Sequence, residues 1–469
     1  MDAVTVEARE MKIVSEHQSD MDVFAKLPDE LLSCIFEIVH ETDAEDYCTP
    51  AYEPINLTCQ RFRSVALRTP KLWNTLRYVA EGGPNYRAGP HQRQTLLSRS
   101  GQCGLLIYIQ YDYSGITSIT DIADFLKALS PHYSRWQELH VTIAKGLVEE
   151  AFNSMAAILK TFDTQSLNTL NVLTVQFYAV DEELDDTDAE LEQVCAEFQQ
   201  IFKASNLRTL RAENFVPNLT GDSWASLTSL SIELAAYYFE DGYFTNAFDP
   251  KAFFLALQTA CGLRSLSISL HEARFNVLSK YMVSRIVFPC LKKFQFTAEN
   301  CDYHTIRNVL CYVHFPVLEE YNIVVSVLGH YNDERWIGSL DYLFPEHESY
   351  GNLTRLSLRV DTSCAHYANC PIDPIFTRCK RLEHLELLGT GLLPVRYPLS
   401  ASLPPLKSLT LERCPNMHFR FLDGFLTTLR SQKIQLETLD ILDCDSLPNG
   451  YMIPGVRCNW KHWYKVTPQ

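Results

Sequence analysis

The sequence predicts an α/β fold in which a short N-terminal helical segment is followed by an irregular repetitive solenoid with a curved parallel sheet. Apolar residues recur at helical spacing between about residues 27 and 73. From about residue 136 onward, a short leucine-containing pattern recurs along the rest of the chain. With 469 residues, of which 46% are hydrophobic, the chain has enough apolar side chains for a sizeable core.

The first predicted element is an amphipathic helix within LPDELLSCIFEIV, which begins at Leu27 and has Pro28 close to the helix start. Its apolar stripe consists of Leu31, Leu32, Ile35, Phe36 and Val39. A second apolar segment, INLTCQRFRSVAL, follows an acidic connection and leads into TPKLW. Short helices cannot bury this much apolar surface on one another, so they need a partner in this chain or in another. We assign residues 1–22 to a disordered N-terminus and residues 23–76 to this helical domain.

The pattern L-x-x-L-x-L, with other large apolar residues allowed, predicts one strand in each of its copies. The last four copies begin 29, 24 and 30 residues apart. This spacing is typical of a leucine-rich repeat, whose period is about 20 to 29 residues. The copies begin at Trp136, Leu167, Leu207, Leu227, Leu263, Leu291, Leu318, Leu353, Leu382, Leu406 and Leu436.

Two further features favour stacked units of one strand and one helix. Cys414 and Cys444 occupy the ninth position of their copies, where a leucine-rich repeat has Asn or Cys. Helix-like apolar stretches such as KAFFLALQTAC lie between copies. We interpret residues 77–135 as a linking segment with the first strand and helix of the array. Residues 136–469 form the repeat domain, with the parallel sheet on its inner face.

The net charge of −16 excludes the strongly basic surface that non-specific nucleic-acid binding requires. No stretch approaches the roughly 18 to 20 consecutive apolar residues of a membrane span. The N-terminal residues also lack the apolar core of a secretory signal. The sequence therefore predicts a cytoplasmic or nuclear protein whose partner is a protein or a small molecule, not a nucleic acid or a membrane.

Motifs for catalysis or cofactor binding are missing from the sequence. It contains no G-x-S-x-G elbow, no phosphate-binding loop and no G-x-G-x-x-G. The fifteen cysteines include no C-x-x-C pair, and Cys364, His366, Cys370 and Cys379 lack the spacing of a zinc knuckle. We therefore predict no enzymatic activity, no metal and no cofactor. An enzyme whose site carries no such motif is the alternative.

Target recognition is expected from side chains that alternate with the buried leucines, because these point to the open face of the sheet. Arg355 and Arg359 are candidates for holding an acidic or phosphorylated segment, and His384 occupies an outward position in a later copy. A loop rich in aromatic residues is a second candidate surface, which contacts the target or closes the side of the solenoid. Its candidate residues are Tyr237, Tyr238, Tyr243 and Phe244.

The segments LPDELLSCIFEIV, LTCQRFRSVAL and TPKLW together resemble an F-box. LLSRSGQCGLLIYI, at residues 96–109, is similar to the segment that follows it in fungal F-box-like proteins. The resemblance covers about residues 24–110 by motif and the remainder by architecture. It implies a substrate receptor of an SCF-type cullin-RING ubiquitin ligase. In that role the F-box binds the adaptor subunit, and through it the cullin, while the repeats bind a target protein.

The resemblance also implies the adaptor-binding residues. They are Leu27, Pro28, Leu31, Leu32, Ile35, Phe36, Leu57, Cys59, Phe62, Val65 and Trp73. The chain departs from the family at Phe62, where Trp is more usual, and in the long acidic connection between Val39 and Ile55. The alternative function is that of a leucine-rich-repeat scaffold outside any ubiquitin ligase, in which the N-terminal helices only cap the solenoid.

Overall fold

The structure is a computed structural model, and the chain divides into two compact units, Met1–Val141 and Thr142–Gln469. Each unit is described by itself. The predicted disordered segment 1–22 lies outside the described residues. These are 24, 26–42, 52–79, 90–111, 119–144, 167–178, 206–214, 225–235, 238–239, 242–243, 250–272, 286–301, 305–306, 309–310, 313–327, 344, 350–362, 370–389, 392–393, 402–415, 417–444 and 456–461.

The fold class is α/β, as predicted. The described residues contain a large parallel sheet of 14 strands and a few helices. Within the same residues, every helix is too short or too polar to cross a lipid bilayer.

In the first unit, three short helices precede the first strand, and further helices separate the strands. The helices are α1 (Asp29–Thr42), α2 (Tyr52–Thr58), α3 (Gln60–Leu67), α4 (Pro90–Arg99) and α5 (Ile119–Leu129), with 3₁₀ helices at Pro70–Trp73 and Ser130–Arg135. The strands are β1 (Thr75–Val79), β2 (Leu105–Tyr111) and β3 (Trp136–Ala144), of which β3 runs past the end of the unit at Val141. β1 pairs with β2 in parallel, with Leu76 opposite Ile107.

Trp73 joins the helical segment to the first strand. Its side chain is buried, and its indole nitrogen donates a hydrogen bond to the carbonyl of Ala66 at 2.8 Å. The indole stacks on Tyr52 with ring centroids 4.8 Å apart, and the Arg99 guanidinium lies 4.4 Å from its centre. β1 begins two residues later, at Thr75. The segment TPKLW therefore forms the buried joint between the three N-terminal helices and the β1–β2 pair.

In the second unit, the strands of the large sheet follow one another in chain order. They are β4 (Val172–Tyr178), β5 (Thr209–Glu213), β6 (Ser229–Ala235), β9 (Ser265–His271), β11 (Lys293–Glu299), β13 (Glu320–Val327), β14 (Arg355–Thr362), β16 (His384–Leu388), β18 (Ser408–Glu412), β19 (Thr438–Leu442) and β20 (Arg457–Lys461). Two-stranded sheets pair β7 (Tyr238–Phe239) with β8 (Gly242–Tyr243), β10 (Ile286–Val287) with β12 (Val313–His314), and β15 (Cys370–Pro371) with β17 (Leu392–Leu393). The helices are α6 (Pro250–Leu257), α7 (Asp373–Arg378) and α8 (Phe419–Ser431).

Each copy of the pattern builds its strand in the same way. In the copy of β9, the first, fourth, sixth and eighth residues are the buried side chains Leu263, Leu266, Ile268 and Leu270. The carbonyl of the second residue, Arg264, accepts hydrogen bonds from the amides of both Lys292 and Lys293 in the next copy, at 2.8 and 2.9 Å. The same shared carbonyl recurs from copy to copy, for example at Lys292 and Glu319. These hydrogen bonds place residues at the same position of neighbouring copies side by side.

The turn after the strand also recurs. In six copies a residue with positive φ ends the strand, namely Asn214, Glu272, Asn300, Gly389, Arg413 and Asp443. The amide of Arg413, for example, donates to the carbonyl of Leu442 in the next strand at 2.9 Å. The thiol of Cys414 donates to the carbonyls of Leu387 and Glu412, both at 3.3 Å. Cys414 and Cys444 therefore make the backbone contacts expected of the ninth position.

The structure corrects the register of one predicted copy. β4 pairs Leu173 with Leu210, so its copy begins at Leu170 and not at Leu167. The sequence from Leu167 also reads L-x-x-L, because Leu167 is itself buried in the short turn that precedes the strand. Spacing alone could not choose between the two starts.

Three strands of the sheet were not assigned to copies of the pattern. They are β1, β2 and β20. The amide of Leu106 donates to the carbonyl of Asn74, as the third residue of a copy donates to the second residue of the preceding one, and β20 is in register with β19. Trp73 takes the first place in the copy of β1, Gly104 takes it in that of β2, and Cys458 takes the fourth place in that of β20. Leucine is missing at these key positions, which hides these copies in the sequence.

Gly389 lies in a turn that only glycine fits. Its φ is +104°, and an added Cβ would overlap the carbonyl of Val360. We expect Gly389→Ala to lower the free energy of unfolding by about 2 kcal/mol or more, from backbone strain and overlap together. Gly101 also has a positive φ, +55°, but no described atom lies within 4 Å of its added Cβ. Gly101→Ala should therefore cost only about 1 kcal/mol. Equal losses in urea unfolding would contradict the steric explanation.

Candidate functional site

Helix α1 carries two apolar stripes side by side. Leu32 and Phe36 form the first stripe and are buried within the unit. Residues one position apart lie about 100° apart around a helix, so a second stripe flanks the first. It consists of the exposed residues Leu31, Ile35, Ile38 and Val39. α1 is therefore apolar over a wider arc than its own unit covers.

Large exposed apolar side chains are concentrated in this part of the chain. Seven of the nine among the described residues lie within residues 24–67. They include Leu57 on α2, which is 85% exposed, and Leu31, which is 51% exposed. A cluster of this kind is typical of an interaction surface. We call the exposed stripe of α1 together with Leu57 the apolar surface.

Arg61 fixes the start of α1 against α3. Its guanidinium donates to the carboxylate of Asp29 at 2.9 Å, to the carbonyl of Phe24 at 2.9 Å and to the carbonyl of Leu27. Arg68 binds the second oxygen of Asp29 at 2.7 Å. Hydrogen bonds from Arg61 and then Arg68 hold the pKa of Asp29 below its usual value. This network sets the orientation of the helix that carries the apolar surface.

The structure divides the predicted adaptor-binding residues into two groups. Those at least partly exposed are Leu27, Pro28, Leu31, Ile35, Leu57, Cys59 and Phe62. Those buried within the unit are Leu32, Phe36, Val65 and Trp73. The buried group supports the helices from inside. Cys59 has a local structural contact, because its sulfur accepts a hydrogen bond from the amide of Phe62 at the start of α3.

Sequence reasoning missed three exposed apolar residues near these positions, namely Phe24, Ile38 and Leu67. The ring of Phe24 contacts Phe62 with centroids 6.0 Å apart, and Phe62 contacts Phe36 at 5.1 Å. Ile38 lies seven residues after Leu31 and therefore on the same side of α1. Helical spacing could have identified Ile38, but no local pattern marks Phe24 or Leu67.

The second candidate surface is a groove of about 540 Å³ on the open face of the sheet in the second unit. It is lined mainly by the third and fifth residues of the copies from β9 to β18, six adjacent strands, together with the fourth residues Phe294, Tyr321, Leu356 and Leu385. With strands about 4.8 Å apart, the groove is roughly 24 Å long. The third positions are Ser265, Lys293, Glu320, Arg355, His384 and Ser408, and the fifth positions are Ser267, Gln295, Asn322, Ser357, Glu386 and Thr410. We call this the open-face groove.

Two cations in the open-face groove share one carboxylate. Lys293 Nζ lies 2.7 Å from one oxygen of Glu320, and Arg355 Nη1 lies 3.6 Å from the other. Next to Arg355, the Nδ1 atom of His384 lies 2.7 Å from the hydroxyl of Ser408. Arg355 and His384, both predicted from the sequence, therefore line the same groove. Lys293 and Glu320 complete the charged part of its lining.

Arg359 has a different environment from Arg355. It occupies the seventh position of its copy and lies outside the groove lining. Its Nε atom lies 2.6 Å from the carboxylate of Asp361, and this hydrogen bond raises the pKa of Arg359. The two arginines predicted to hold an acidic segment are therefore not equivalent, because Arg359 has a close carboxylate of its own.

A cluster of three carboxylates and one histidine lies near the C-terminal ends of β5, β6, β9 and β11. His271 stands between two of them, with Nε2 3.2 Å from Glu233 and Nδ1 3.2 Å from Glu299. Burial, and then the neighbouring Glu233, raise the pKa of Glu213. Gln176 donates a hydrogen bond to Glu213 at 2.9 Å. Sequence reasoning did not identify this cluster, since its members come from separate copies.

The aromatic loop candidates are only partly described. Tyr237 and Phe244 lie outside the described residues. The backbones of Tyr238 and Tyr243 stand opposite each other in the antiparallel pair of β7 and β8.

Cys364 and His366 of the possible metal group also lie outside the described residues. Cys379 is buried, and burial raises its pKa to about 12. Its thiol is therefore protonated near neutral pH, whereas metal ligation needs the thiolate. Within the ranges given above, no three His, Cys, Asp or Glu side chains are grouped to hold a metal ion.

Comparison with known proteins does not assign the chain to a family. No protein-family model matches the sequence, and no curated protein matches it either. The chemistry of the apolar surface and of the open-face groove is therefore the basis for a function.

The carboxylate cluster generates a prediction about pH dependence. The pKa of Glu213 is higher in the folded state than its usual value of about 4.5. Ionisation of Glu213 therefore lowers the free energy of unfolding as the pH rises from about 4.5 through this raised pKa. Glu213→Gln removes this charge and keeps an acceptor for Gln176. Glu213 is only partly buried, so solvent screens its charge, and we expect the variant to gain no more than about 0.5 kcal/mol in urea unfolding at pH 7 and little at pH 4.

Glu383→Gln is the control of opposite sign. A hydrogen bond from Lys407, at 2.6 Å, lowers the pKa of Glu383. Its ionised form therefore stabilises the fold above its usual pKa, and the variant should lose stability at pH 7. A gain for Glu213→Gln that is equal at both pH values would contradict the electrostatic explanation.

Proposed function

We propose that the chain is the substrate receptor of an SCF-type cullin-RING ubiquitin ligase. The N-terminal helices act as an F-box that binds the adaptor subunit, and through it the cullin. The following strands form a leucine-rich-repeat-like solenoid that binds a target protein. In this role the chain works in the cytoplasm or nucleus and supplies no catalytic group of its own.

The observation that carries the proposal is the apolar surface, which lies in the segment that resembles an F-box. Leu31, Ile35 and Leu57 are exposed there, while the adjacent stripe of α1 fills the interior of the unit. Burying one such side chain against a partner contributes about 1.5 to 3 kcal/mol. Helices with an uncovered apolar face bind partner proteins in this way.

The open-face groove supports the second half of the proposal. A receptor needs one surface for the ligase and another for the target, and the two must not compete. The apolar surface belongs to the first unit and the open-face groove to the second. The first surface is formed by apolar side chains alone, whereas the second also carries charged and hydrogen-bonding side chains, so they suit partners of different chemistry.

The alternative is a scaffold in which the N-terminal helices only cap the strands. Trp73 favours a capping role, since it packs between the helices and β1. Capping explains the buried residues Leu32 and Phe36 but not the exposed Leu31 and Leu57. Adaptor binding distinguishes the two functions.

We expect the full chain to bind the purified SCF adaptor subunit and the double variant Leu31→Ala, Leu57→Ala to bind it about a hundredfold more weakly. The reason is the loss of about 1.5 kcal/mol of apolar burial at each position. Both residues are exposed, so the variant should keep its circular dichroism spectrum and thermal midpoint. Isothermal titration calorimetry measures the affinity.

Leu255→Ala is the matched control, since Leu255 is a 45% exposed leucine on helix α6 in the second unit. It should bind the adaptor like the wild type. Absence of binding by the wild type would reject the ligase function and leave the capped scaffold. Equal weakening by Leu255→Ala would show that the effect is not specific to the apolar surface.

A further inference from the structure

We infer that the open-face groove binds an extended target segment through one unmodified carboxylate side chain, and not through a phosphorylated residue. The inference rests on the proposed function, because it names the class of segment that the receptor takes. It concerns the groove alone and is tested separately from adaptor binding.

The dimensions of the groove fit an extended chain. A length of roughly 24 Å corresponds to about seven residues at about 3.3 Å each. The middle of its fifth-position row consists of Gln295, Asn322 and Ser357 on adjacent strands. These uncharged side chains both donate and accept hydrogen bonds, as the amides and carbonyls of an extended backbone require. The row therefore suits a peptide backbone laid across the strands.

The charged side chains beside this row favour a target side chain with a single negative charge. Lys293 and Arg355 contact different oxygens of Glu320, which leaves the three groups together with one positive charge. A carboxylate of the target brings this local sum to zero. A phosphoryl group, with about −1.5 to −2 charges, makes it negative. With Glu386, which also lines the groove and stands opposite Ser357, the whole lining holds two Lys or Arg cations and two carboxylates, so it has no surplus of positive charge for a dianion.

Two cations next to the groove already have carboxylates of their own. Lys292 pairs with Glu319 at 2.7 Å, in the second-position row beside Lys293 and Glu320. Arg359 pairs with Asp361 at 2.6 Å at the other side of the groove. A second negative charge that drew on either of these cations would have to break its pair. The groove therefore matches Asp or Glu better than a phosphorylated Ser or Thr.

The test starts with unmodified seven-residue peptides, displayed on phage and selected on the full chain. We expect the selected peptides to share one Asp or Glu. The best binder is then synthesised with that residue replaced by Gln or by phosphoserine. Replacement by Gln should weaken binding about tenfold, and phosphoserine should bind no more tightly than the carboxylate. Recovery of no binder, recovery of binders without an acidic residue, or tighter binding of phosphoserine would overturn the inference.

Variants of the groove sharpen the test. Glu320→Gln removes the internal carboxylate, so the carboxylate peptide should bind about threefold more tightly and the phosphoserine peptide should gain more. Arg355→Gln should weaken the carboxylate peptide about fivefold and leave the Gln peptide unchanged. Glu383→Gln, the same chemical change at a carboxylate outside the groove lining, should alter neither affinity. Equal effects of Glu320→Gln and Glu383→Gln would contradict the role of the shared carboxylate.

Adaptor binding, measured on the same protein preparations, separates the two proposals. Adaptor binding together with a failed peptide test rejects only the carboxylate inference. Carboxylate-dependent peptide binding without adaptor binding rejects only the ligase function.

Discussion

The register between neighbouring strands is the constraint on which the second unit depends. In the copies from β4 to β18 one carbonyl, such as that of Arg264, accepts two amides of the next copy and so sets corresponding positions side by side. A slip by one residue would exchange the buried and open faces of a strand. The register therefore accounts both for the continuous apolar core and for the polar rows of the open-face groove. Because the groove is built from rows of corresponding residues, its charged side chains lie at fixed positions relative to one another. Lys293, Glu320 and Arg355 are an example.

In the first unit, the helices have more apolar surface than they bury. α1 turns Leu32 and Phe36 inward and leaves Leu31 and Ile35 exposed. The buried half is connected to the sheet by Trp73, which belongs both to the helical segment and to the copy of β1. Contact with the strands and exposure of an apolar stripe thus fall on neighbouring faces of the same helix.

Sequence reasoning succeeded where one residue type repeats and failed where contacts join distant positions. The strands of β5 to β19 in the large sheet follow from leucine spacing, whereas β1, β2 and β20 escape it because Trp, Gly and Cys replace leucine. The outward positions of Arg355 and Arg359 follow from alternation along one strand. The partner Glu320 does not, because it comes from another copy. Asp361, two residues after Arg359 on the same strand, could have been expected from the same alternation. Helical spacing likewise predicted most of the apolar residues of α1, but it did not predict which of them are buried and which are exposed.

Copies of the pattern begin 20 residues apart at Leu207 and Leu227 but 36 residues apart at Leu227 and Leu263. All three strands nevertheless stay in register through the same shared carbonyl. The length of the connecting segments is therefore uncoupled from the positions of the groove residues. Insertions and deletions between strands can accumulate during evolution while the contact residues keep their places. A change of a single outward side chain can conversely alter the chemistry of the groove without any change in the connections, so the two kinds of variation are independent.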